Sequence, residues 1–536
     1  MAALLGGLLL ALAFPPIGWA PLSWIGLVPT GLWLAREPDG APRTVGDAFR
    51  GGYAFGFVFF AAALHWIAFL SKTAVTVSWI MYPAWLAAAA YVALYPALAA
   101  AGTLFARRYA GLPVVLGWPL FFFATEWLRA QGELGFPWLS IGYSQASLLP
   151  VLQIASLAGL SGVNLFVVLA NACVLAGFER ATGGAGGAFR ARPAALGIGA
   201  AAVWLALPFA LFGPRIPPIV RSGPPVALVQ GNIEGRVKWS GRHEDRVLGK
   251  FLVLSRVAIV RGARFVIWPE TATGTYLRQN LDQRSRLQAF VDSTDVAILT
   301  GYPDYRFTGP TEVLSWNAAG VFWPHTGLGP QYAKIHLVPF GERMPFQHLV
   351  PALGKLEMGQ AEWTPGTDPT PLPTPIGLAG ILVCFESIFR EPAREEVRRG
   401  ARFLVNVTND EWFGRSGALW QHAAMSVFRA VEHRVPVARA ANTGLTFFVD
   451  PYGRVLDAGP VFEDYVALGP LPAPETPPPP TPFTRAGDLA GPGVSLVALV
   501  VLAWAIVGRV RALTGPRAPG MLQTSPVRSA SRRRSR

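Results

Sequence analysis

Seven apolar stretches crowd the first 212 residues, the segment from Gly213 to Pro482 has none of comparable length, and an eighth follows near the end. A bilayer core takes roughly 20 mostly apolar residues per spanning helix, so this spacing constrains the fold more than any other feature. The stretches are Leu4 to Trp19, Leu22 to Ala35, Gly52 to Leu70, Trp79 to Phe105, Val114 to Leu128, Ile154 to Phe178, Leu196 to Phe212 and Leu489 to Val507. The first two are short and joined by FPPIGWAP, which leaves either two spans or one re-entrant hairpin; we count two. The expectation is a multi-pass α-helical membrane domain of about eight transmembrane helices with a large extramembrane domain between the last two. Composition agrees: 52% of residues are hydrophobic and 15% charged, where soluble chains carry roughly a quarter charged.

The net charge of +14 raises nucleic acid as a partner, but its distribution argues against that. Arg36, Arg43 and Arg50, then Arg107 and Arg108, then Arg180, Arg190 and Arg192 fall in alternate loops, while the loops between hold only Lys72 and Arg129. Eight arginines and no acid lie between Arg509 and Arg536. Cationic residues concentrate on the cytoplasmic side of membrane proteins, and a basic tail straight after an apolar stretch also suits anionic lipid. Both termini are expected in the cytoplasm, and seven spans then deliver the large domain to the outer, periplasmic face. Met1 to Phe14 has no basic start and no small-residue cleavage site, so it does not read as a cleaved signal peptide.

The predicted boundaries are 1–213 for the first seven helices, 214–482 for the extramembrane domain, 483–508 for the last helix and 509–536 for a disordered basic tail. Within 214–482, short runs of strand character recur: VALVQ, RFVIW, VAILTGY, AAGVFW, GILVC, RFLVNV and PVARAA. Helix-like stretches such as Arg284 to Asp292 and Gln421 to His433 lie between some of them. Strands alternating with helices indicate an α/β layered fold. LPAPETPPPPTP is expected to be a stiff, extended link back to the last helix. No heptad or partner motif suggests more than a monomer.

The chain has two cysteines. Cys173 sits in the apolar run NLFVVLANACVLAGF and reads as a small hydrophobe. Cys384 is then alone in its domain, which excludes both a disulfide there and a cysteine metal cluster. It ends a strand-like run, where a nucleophile would be held rigidly at a sheet edge, and a thiol needs a nearby base or cation to act. A buried core cysteine is an equally good reading of that position alone. Glu270 ends FVIWPE, which suits a general base with a raised pKa, though a solvated strand end is the plainer alternative. Lys334, in QYAKIHLVPFGE, suits oxyanion stabilisation, and Glu342 follows in the same turn. The rival is a Cys–His–Asn arrangement drawing on His336, His348, His422 or His433 and on Asn406, Asn409 or Asn442. No histidine pair has metal-site spacing, and no metal or other cofactor is expected.

Taken in order, WPE, YAKIHLVPFGE and VCFES resemble the nitrilase, or carbon–nitrogen hydrolase, superfamily, whose members place a Glu–Lys–Cys triad on an αββα sandwich. The likeness is closer to a membrane-bound branch. VQGNI followed by Lys238 and Trp239, KIHLVPFGE, NVTNDEWFG with Gln421 and His422 after it, RAVEHRVPVARAANTG, and ELGFPWLSIGYSQ at 133–145 all resemble the apolipoprotein N-acyltransferase family. The resemblance implies Glu270 as general base, Lys334 as the oxyanion-side partner, Cys384 as nucleophile and Glu342 as a second essential acid. It implies Trp239, Phe385 and Glu386 as supports of the active-site wall. Position 385 is commonly tyrosine in that family, and phenylalanine here removes a hydroxyl.

The resemblance further implies a bacterial inner-membrane enzyme. It would carry an acyl chain from a membrane phospholipid, through a Cys384 thioester, to the N-terminal amine of a diacylated apolipoprotein, with no nucleotide or metal. The alternative is a membrane-tethered amidase using the same triad with water as acceptor. The loop bearing Phe136, Trp138 and Tyr143 is expected to line lipid access as an aromatic belt. RMPFQHLVPALGKLEMG, at 343–359, is expected either to dip towards lipid as a lid or to pack on the core.

Overall fold

A computed structural model describes residues 1–36, 43–70, 78–182, 190–310, 312–350, 352, 362–471 and 479–514. Its N-terminal part is helical: α1 (Ala2–Leu12), α2 (Val28–Ala35), α3 (Val45–Ala63), α4 (Met81–Val92), α5 (Leu94–Ala110), α6 (Val114–Arg129), α7 (Ala155–Ala181) and α8 (Ala191–Phe212). Among the described residues, four helices are long and apolar enough to cross a membrane: Met81–Ala110, Ala155–Ala181, Ala191–Arg215 and Ala490–Thr514. The other expected spans are shorter helices, and proline explains the first two. The run from Leu4 is helical only to Leu12 and gives way to a turn at Pro15 and Pro16; the run from Leu22 is split between Ala20–Trp24 and α2, with Pro21 and Pro29 at the two starts. Proline lacks the N–H that an interior helical position needs. Pro96 likewise marks the break between α4 and α5.

Helices pack closely where small residues face each other. A Cβ on Gly52 of α3 would lie 2.5 Å from the Pro96 carbonyl oxygen, so only glycine lets α3 and α5 approach this far. On α8 the outward side chains Leu196, Ile198, Val203, Leu207, Phe209 and Leu211 are exposed, and a stripe of that size is stable only against lipid or a partner.

From Pro225 the described residues build two six-stranded sheets. The first has the order β12 (Tyr465–Pro470), β1 (Pro225–Gln230), β2 (Phe265–Ile267), β3 (Ala297–Phe307), β4 (Val313–Trp323), β5 (Gly327–Ala333). The second has the order β11 (Val455–Leu456), β10 (Phe447–Val449), β9 (Val437–Ala441), β8 (Phe403–Thr408), β7 (Gly377–Val383), β6 (Leu372–Thr374). β1–β2–β3 and β7–β8–β9 are parallel, with antiparallel strands outside them. Side chains alternate along each strand. Val226, Leu228, Phe265, Ile267, Ile381, Val383, Val405 and Val407 fill the space between the sheets. Ala227, Val229, Val266 and Ile298 face α9 (Glu244–Val260) and α10 (Leu281–Thr294).

The outer face of the second sheet carries α11 (Arg390–Arg398) and α12 (Ala418–His433). Leu382, Leu404, Val437, Phe447 and Val449 from this sheet share one buried cluster with Phe428 and Val431 of α12, and with Trp138, Tyr143, Leu160 and Val163 of the helical part. Helix α12 is therefore covered on both sides. The last helix, α13 (Ala490–Thr514), returns along α5 and α6.

The structure corrects two sequence expectations in this region. Arg129 is not a loop charge: it ends α6, is buried, and donates to the carbonyl oxygens of Phe136 and Trp138. Trp138 and Tyr143 do not form an exposed belt either. They are 1% and 3% exposed and lie in the shared cluster, because their polar tips bond across the joint. Lys72, residues 472–478 of the proline-rich link, 351 and 353–359 of the expected lid and the tail from 515 lie outside the described residues.

Candidate active site

Cys384 follows β7 directly and has φ of 52°, in the left-handed region. A non-glycine residue there is strained, and strand-to-turn strain of this kind thrusts a nucleophile out of a sheet edge. The chain continues as a 3-10 turn, Cys384–Ile388. Glu386 in that turn is buried, and its carboxylate accepts from the Val383 N–H at 2.8 Å, the Ile335 N–H at 2.7 Å, the His336 N–H at 3.1 Å and the Tyr332 hydroxyl at 2.9 Å. It ties the cysteine turn to the segment beginning at Lys334. Burial pushes the Glu386 pKa up to about 7, the backbone donors and Lys334 opposing.

Glu270 sits just past β2, on backbone bonded to β3 by Trp268 N–H to Leu299 O at 2.8 Å and Ala272 N–H to Gly301 O at 3.0 Å. A Cβ on Gly301 would lie 2.7 Å from the Glu270 Cα, so glycine is required for this approach. The Glu270 carboxylate is buried; it accepts from the Asn317 amide at 2.7 Å and the Asn409 backbone N–H at 2.9 Å. Lys334, next after β5, has its ammonium 2.9 Å from Glu342 Oε1 and 3.9 Å from Glu270 Oε1. Glu342 closes its own turn by accepting the Val338 N–H at 2.8 Å. The Asn317 amide also reaches Glu342, at 3.3 Å. Glu270, Lys334 and Glu342 therefore form one buried ionic group.

The Cys384 thiol is within electrostatic reach of that group. Burial pushes its pKa up, Glu270 and then Asp410 add to the rise, and Lys334 opposes it. Burial raises the Glu270 pKa, with Lys334 opposing. Lys334 is raised in spite of burial, because Glu342 and Glu270 flank it. The resting pair is a thiol beside a carboxylate of enhanced basicity and a fixed ammonium. That arrangement suits proton removal during attack rather than a standing thiolate.

The remaining expected residues sort clearly. Trp239 is 50% exposed. Phe385 is buried and packs edge-on against Phe389, with ring centroids 5.3 Å apart. Phe136 stacks on Trp138 at 6.0 Å; the Trp138 indole donates to Gln421 Oε1 at 2.8 Å, and the Tyr143 hydroxyl to the Ile388 carbonyl at 3.1 Å. The Cys–His–Asn alternative lacks its first contact: His422 Nε2 lies 3.1 Å from the Cys384 carbonyl oxygen and Nδ1 2.9 Å from Asp410, so the ring serves the backbone. Arg343 to Val350, at the start of the expected lid, lean on the helical part: the Phe346 N–H donates to Glu133 at 2.6 Å and His348 lies 2.9 Å from the same carboxylate.

Three contributors have parts here that the sequence reading did not assign them. Asn317 is one polar residue in the middle of β4, and Asn409 supplies a backbone N–H, which no side-chain pattern reveals. Lys238 entered the sequence reading only as part of a family-like motif; it is 1% exposed and donates to the Asn409 side chain at 3.3 Å. Burial pulls its pKa down to about 8, with Glu411 and then Glu270 opposing.

Comparison with known proteins follows this division. Residues 6–173 match the apolipoprotein N-acyltransferase N-terminal domain, and residues 225–475 match carbon–nitrogen hydrolase. The apolipoprotein N-acyltransferase of Geobacter metallireducens is 36% identical over 88% of this chain and 88% of its own length; that of Chlorobaculum tepidum is 31% identical over 88% and 90%. Among solved structures, an amidase from Nesterenkonia sp. AN1 with the acetamide moiety of fluoroacetamide on its active-site cysteine covers 47% of this chain and 92% of its own at 20% identity, with a TM-score of 0.37. With similarity running through helices and sandwich alike, the chain belongs to the apolipoprotein N-acyltransferase family.

Proposed function

We propose that the protein transfers an acyl chain from a membrane phospholipid to the N-terminal amine of a diacylglyceryl-cysteine lipoprotein. The observation that carries this reading is the family-wide similarity over 88% of the chain, together with the buried Glu270–Lys334–Glu342 group beside Cys384. In the first half-reaction the Cys384 sulfur attacks the ester carbonyl carbon while Glu270 takes the thiol proton. Negative charge develops on the carbonyl oxygen facing Lys334, where a fixed cation in a dry site counts most. The ester C–O bond breaks, Glu270 protonates the leaving oxygen, and a lysophospholipid departs. In the second, the lipoprotein amine attacks the thioester, Glu270 takes a proton from nitrogen, the C–S bond breaks, and the thiolate is reprotonated. Thioester to amide is downhill, so this sequence calls for no nucleotide or metal.

Glu342 holds Lys334 charged and oriented; Trp239, Phe385 and Glu386 shape the wall. In this reading all eight apolar runs lie in a bacterial inner membrane, the first two short ones counted as two spans, with both termini cytoplasmic and the sandwich in the periplasm. The arginine distribution supports that orientation. The boundaries 1–213, 214–482, 483–508 and 509–536 follow from it, and the enzyme works as a monomer. Both substrates are anchored in the bilayer, and the exposed side chains Trp239, Phe340, Phe346 and Leu349 suit an entrance at the lipid surface.

Purified protein incubated with phospholipid and weighed intact should gain one acyl group, and the Cys384→Ala variant none. No adduct on the wild type, or the same adduct on the variant, defeats the covalent mechanism. Adding a diacylated lipopeptide should then yield triacylated product; free fatty acid alone would instead identify an amidase-like hydrolase.

A further inference from the structure

Two adjacent residues of α12 point their polar groups in different directions, one into the membrane helices and one into the cysteine turn. Gln421 is buried and uses its whole amide. Its Oε1 accepts from the Trp138 indole at 2.8 Å and the Trp66 indole at 3.2 Å, and its Nε2 donates to the Pro15 carbonyl at 2.8 Å and the Ala63 carbonyl at 3.2 Å. One side chain thus joins four separate segments of the helical part: the turn after α1, the end of α3, the 3-10 turn His65–Phe69 and the loop after α6. His422 is fully buried next to it. Its ring stacks on Trp138, centroids 5.5 Å apart and planes at 24°, and its Nε2 lies 3.1 Å from the Cys384 carbonyl oxygen, which can only accept. Behind the ring, Arg439 lies 3.1 Å from His422 Nδ1, which accepts from it when Nε2 carries the proton, and Arg439 is itself held by Asp410 at 2.7 Å.

We propose that Gln421 is a positioning residue: through Trp138 and His422 it sets the left-handed turn at Cys384 according to how the membrane helices are docked, so that the nucleophile is in register only when the helical part is seated. This rests on Cys384 being the acylated nucleophile. The physical case has three parts. A positive φ at a non-glycine residue is uphill and persists only where surroundings enforce it. The Cys384 carbonyl is the group that must be held for that turn to persist; the Ser387 hydroxyl donates to it at 3.0 Å from within the turn, His422 Nε2 at 3.1 Å is the nearest donor from outside the turn, and the Asn406 amide lies at 3.5 Å. A buried amide with all four bonds made is costly to leave half-paired, so Gln421 transmits displacement rather than absorbing it. A self-contained αββα enzyme would need neither residue to look outward.

The test uses the full-length enzyme in detergent with two variants. Gln421→Met keeps length and loses all four bonds; Trp138→Phe keeps a ring against His422 and loses one N–H. The measurements are the rate of acyl adduct formation on Cys384 from phospholipid, the phospholipid concentration giving half-maximal rate, the pH profile of Cys384 alkylation by iodoacetamide, and the melting temperature. Gln421→Met should form the adduct at least tenfold more slowly, with the half-maximal concentration unchanged within twofold. Its alkylation midpoint should move down towards that of an ordinary thiol, as Cys384 leaves the company of Glu270 and Asp410. Trp138→Phe should show a smaller change of the same kind, and the double variant should be no worse than Gln421→Met. Wild-type rate and profile in a folded Gln421→Met overturn the proposal, as does a slower rate with an unshifted alkylation profile. Should Gln421→Met not fold, Trp138→Phe decides by the same readings. Absence of any adduct on the wild type would instead sink the acyl-enzyme reading on which this rests.

Discussion

As the proposed general base Glu270 must be ionised to take a proton from Cys384, and burial works against that: its pKa lies above the ordinary carboxylate value, Lys334 notwithstanding. Activity dependent on its ionised form is present above the folded-state pKa and is lost as pH falls through it. Acyl adduct formation should therefore fall away on the acid side at a pH above the roughly 4.3 of an exposed glutamate. Glu270→Gln should remove that limb and lower the rate by about 10²- to 10⁴-fold; stopped reactions weighed across a pH series measure both, and an acid limb that persists in the variant would assign it elsewhere. Lys238 carries the opposite sign. A lysine whose folded pKa is near 8, against roughly 10.4 unfolded, binds its proton more weakly when folded. Its burial thus costs stability below pH 8, on the order of 3 kcal/mol, and the cost fades as pH rises from 8 to beyond 10. Lys238→Met should raise the melting temperature at pH 7, with the gain shrinking at pH 10, while slowing the reaction, because Asn409 loses the partner that steadies its N–H under Glu270. A lower melting temperature at pH 7 would show that the Asn409 bond outweighs desolvation.

At the scale of elements, the proposed catalytic constellation depends on two loops from different sheets being tied together. Glu386 makes that tie with four donors converging on one carboxylate. Glu386→Gln would present an NH₂ where only acceptors fit, leaving buried N–H groups unpaired at about 1–3 kcal/mol. The expected result is a lower melting temperature and a rate reduced more than that loss of stability alone accounts for; a normal rate in the folded variant would deny the tie its role. The strands that carry these loops were legible because VALVQ, FVIW, GILVC and FLVNV alternate or run apolar between turn residues, and the structure has strands at all four. Cys384 and Glu270 stood out for the same reason, each being the first chemically active group past an apolar run, whereas Lys334 stood out only through the flank and turn that follow it in KIHLVPFGE. β5, GLGPQYA, was not legible: two glycines and a proline mask a strand that pairs only on one side. Asn317 was hidden because its meaning lies in Glu270, 47 residues earlier in the chain. The membrane runs were legible as apolar but the first two not in length, since hydropathy does not register where Pro15, Pro16 and Pro21 interrupt a helix.

The whole molecule departs from a membrane anchor carrying an independent enzyme. In that arrangement the sandwich would present a polar outer face to the helices and would keep its fold without them. Here α12 is buried along nearly its whole length, and its cluster runs unbroken from Leu404 and Phe447 of the second sheet to Leu160, Val163 and Trp138 of the helical part. Charged groups are committed across the same joint: Glu432 accepts from the Leu160 N–H at 3.0 Å, and Arg390 reaches Ser161 at 2.7 Å and Asp488 at 2.6 Å. Cutting the chain at 213 and 482 would strand these groups and bare an apolar surface, with an exposed patch of that kind driving association. Residues 214–482 produced alone should therefore elute as aggregates in size-exclusion chromatography, or stay soluble only in detergent, with Cys384 alkylating like an ordinary thiol. Co-production with residues 1–213 and 483–536 should restore a defined species and the shifted thiol. A monodisperse, detergent-free 214–482 fragment that retains the wild-type alkylation profile would mean that the sandwich folds and sets its nucleophile alone, and that the membrane helices contribute anchorage only.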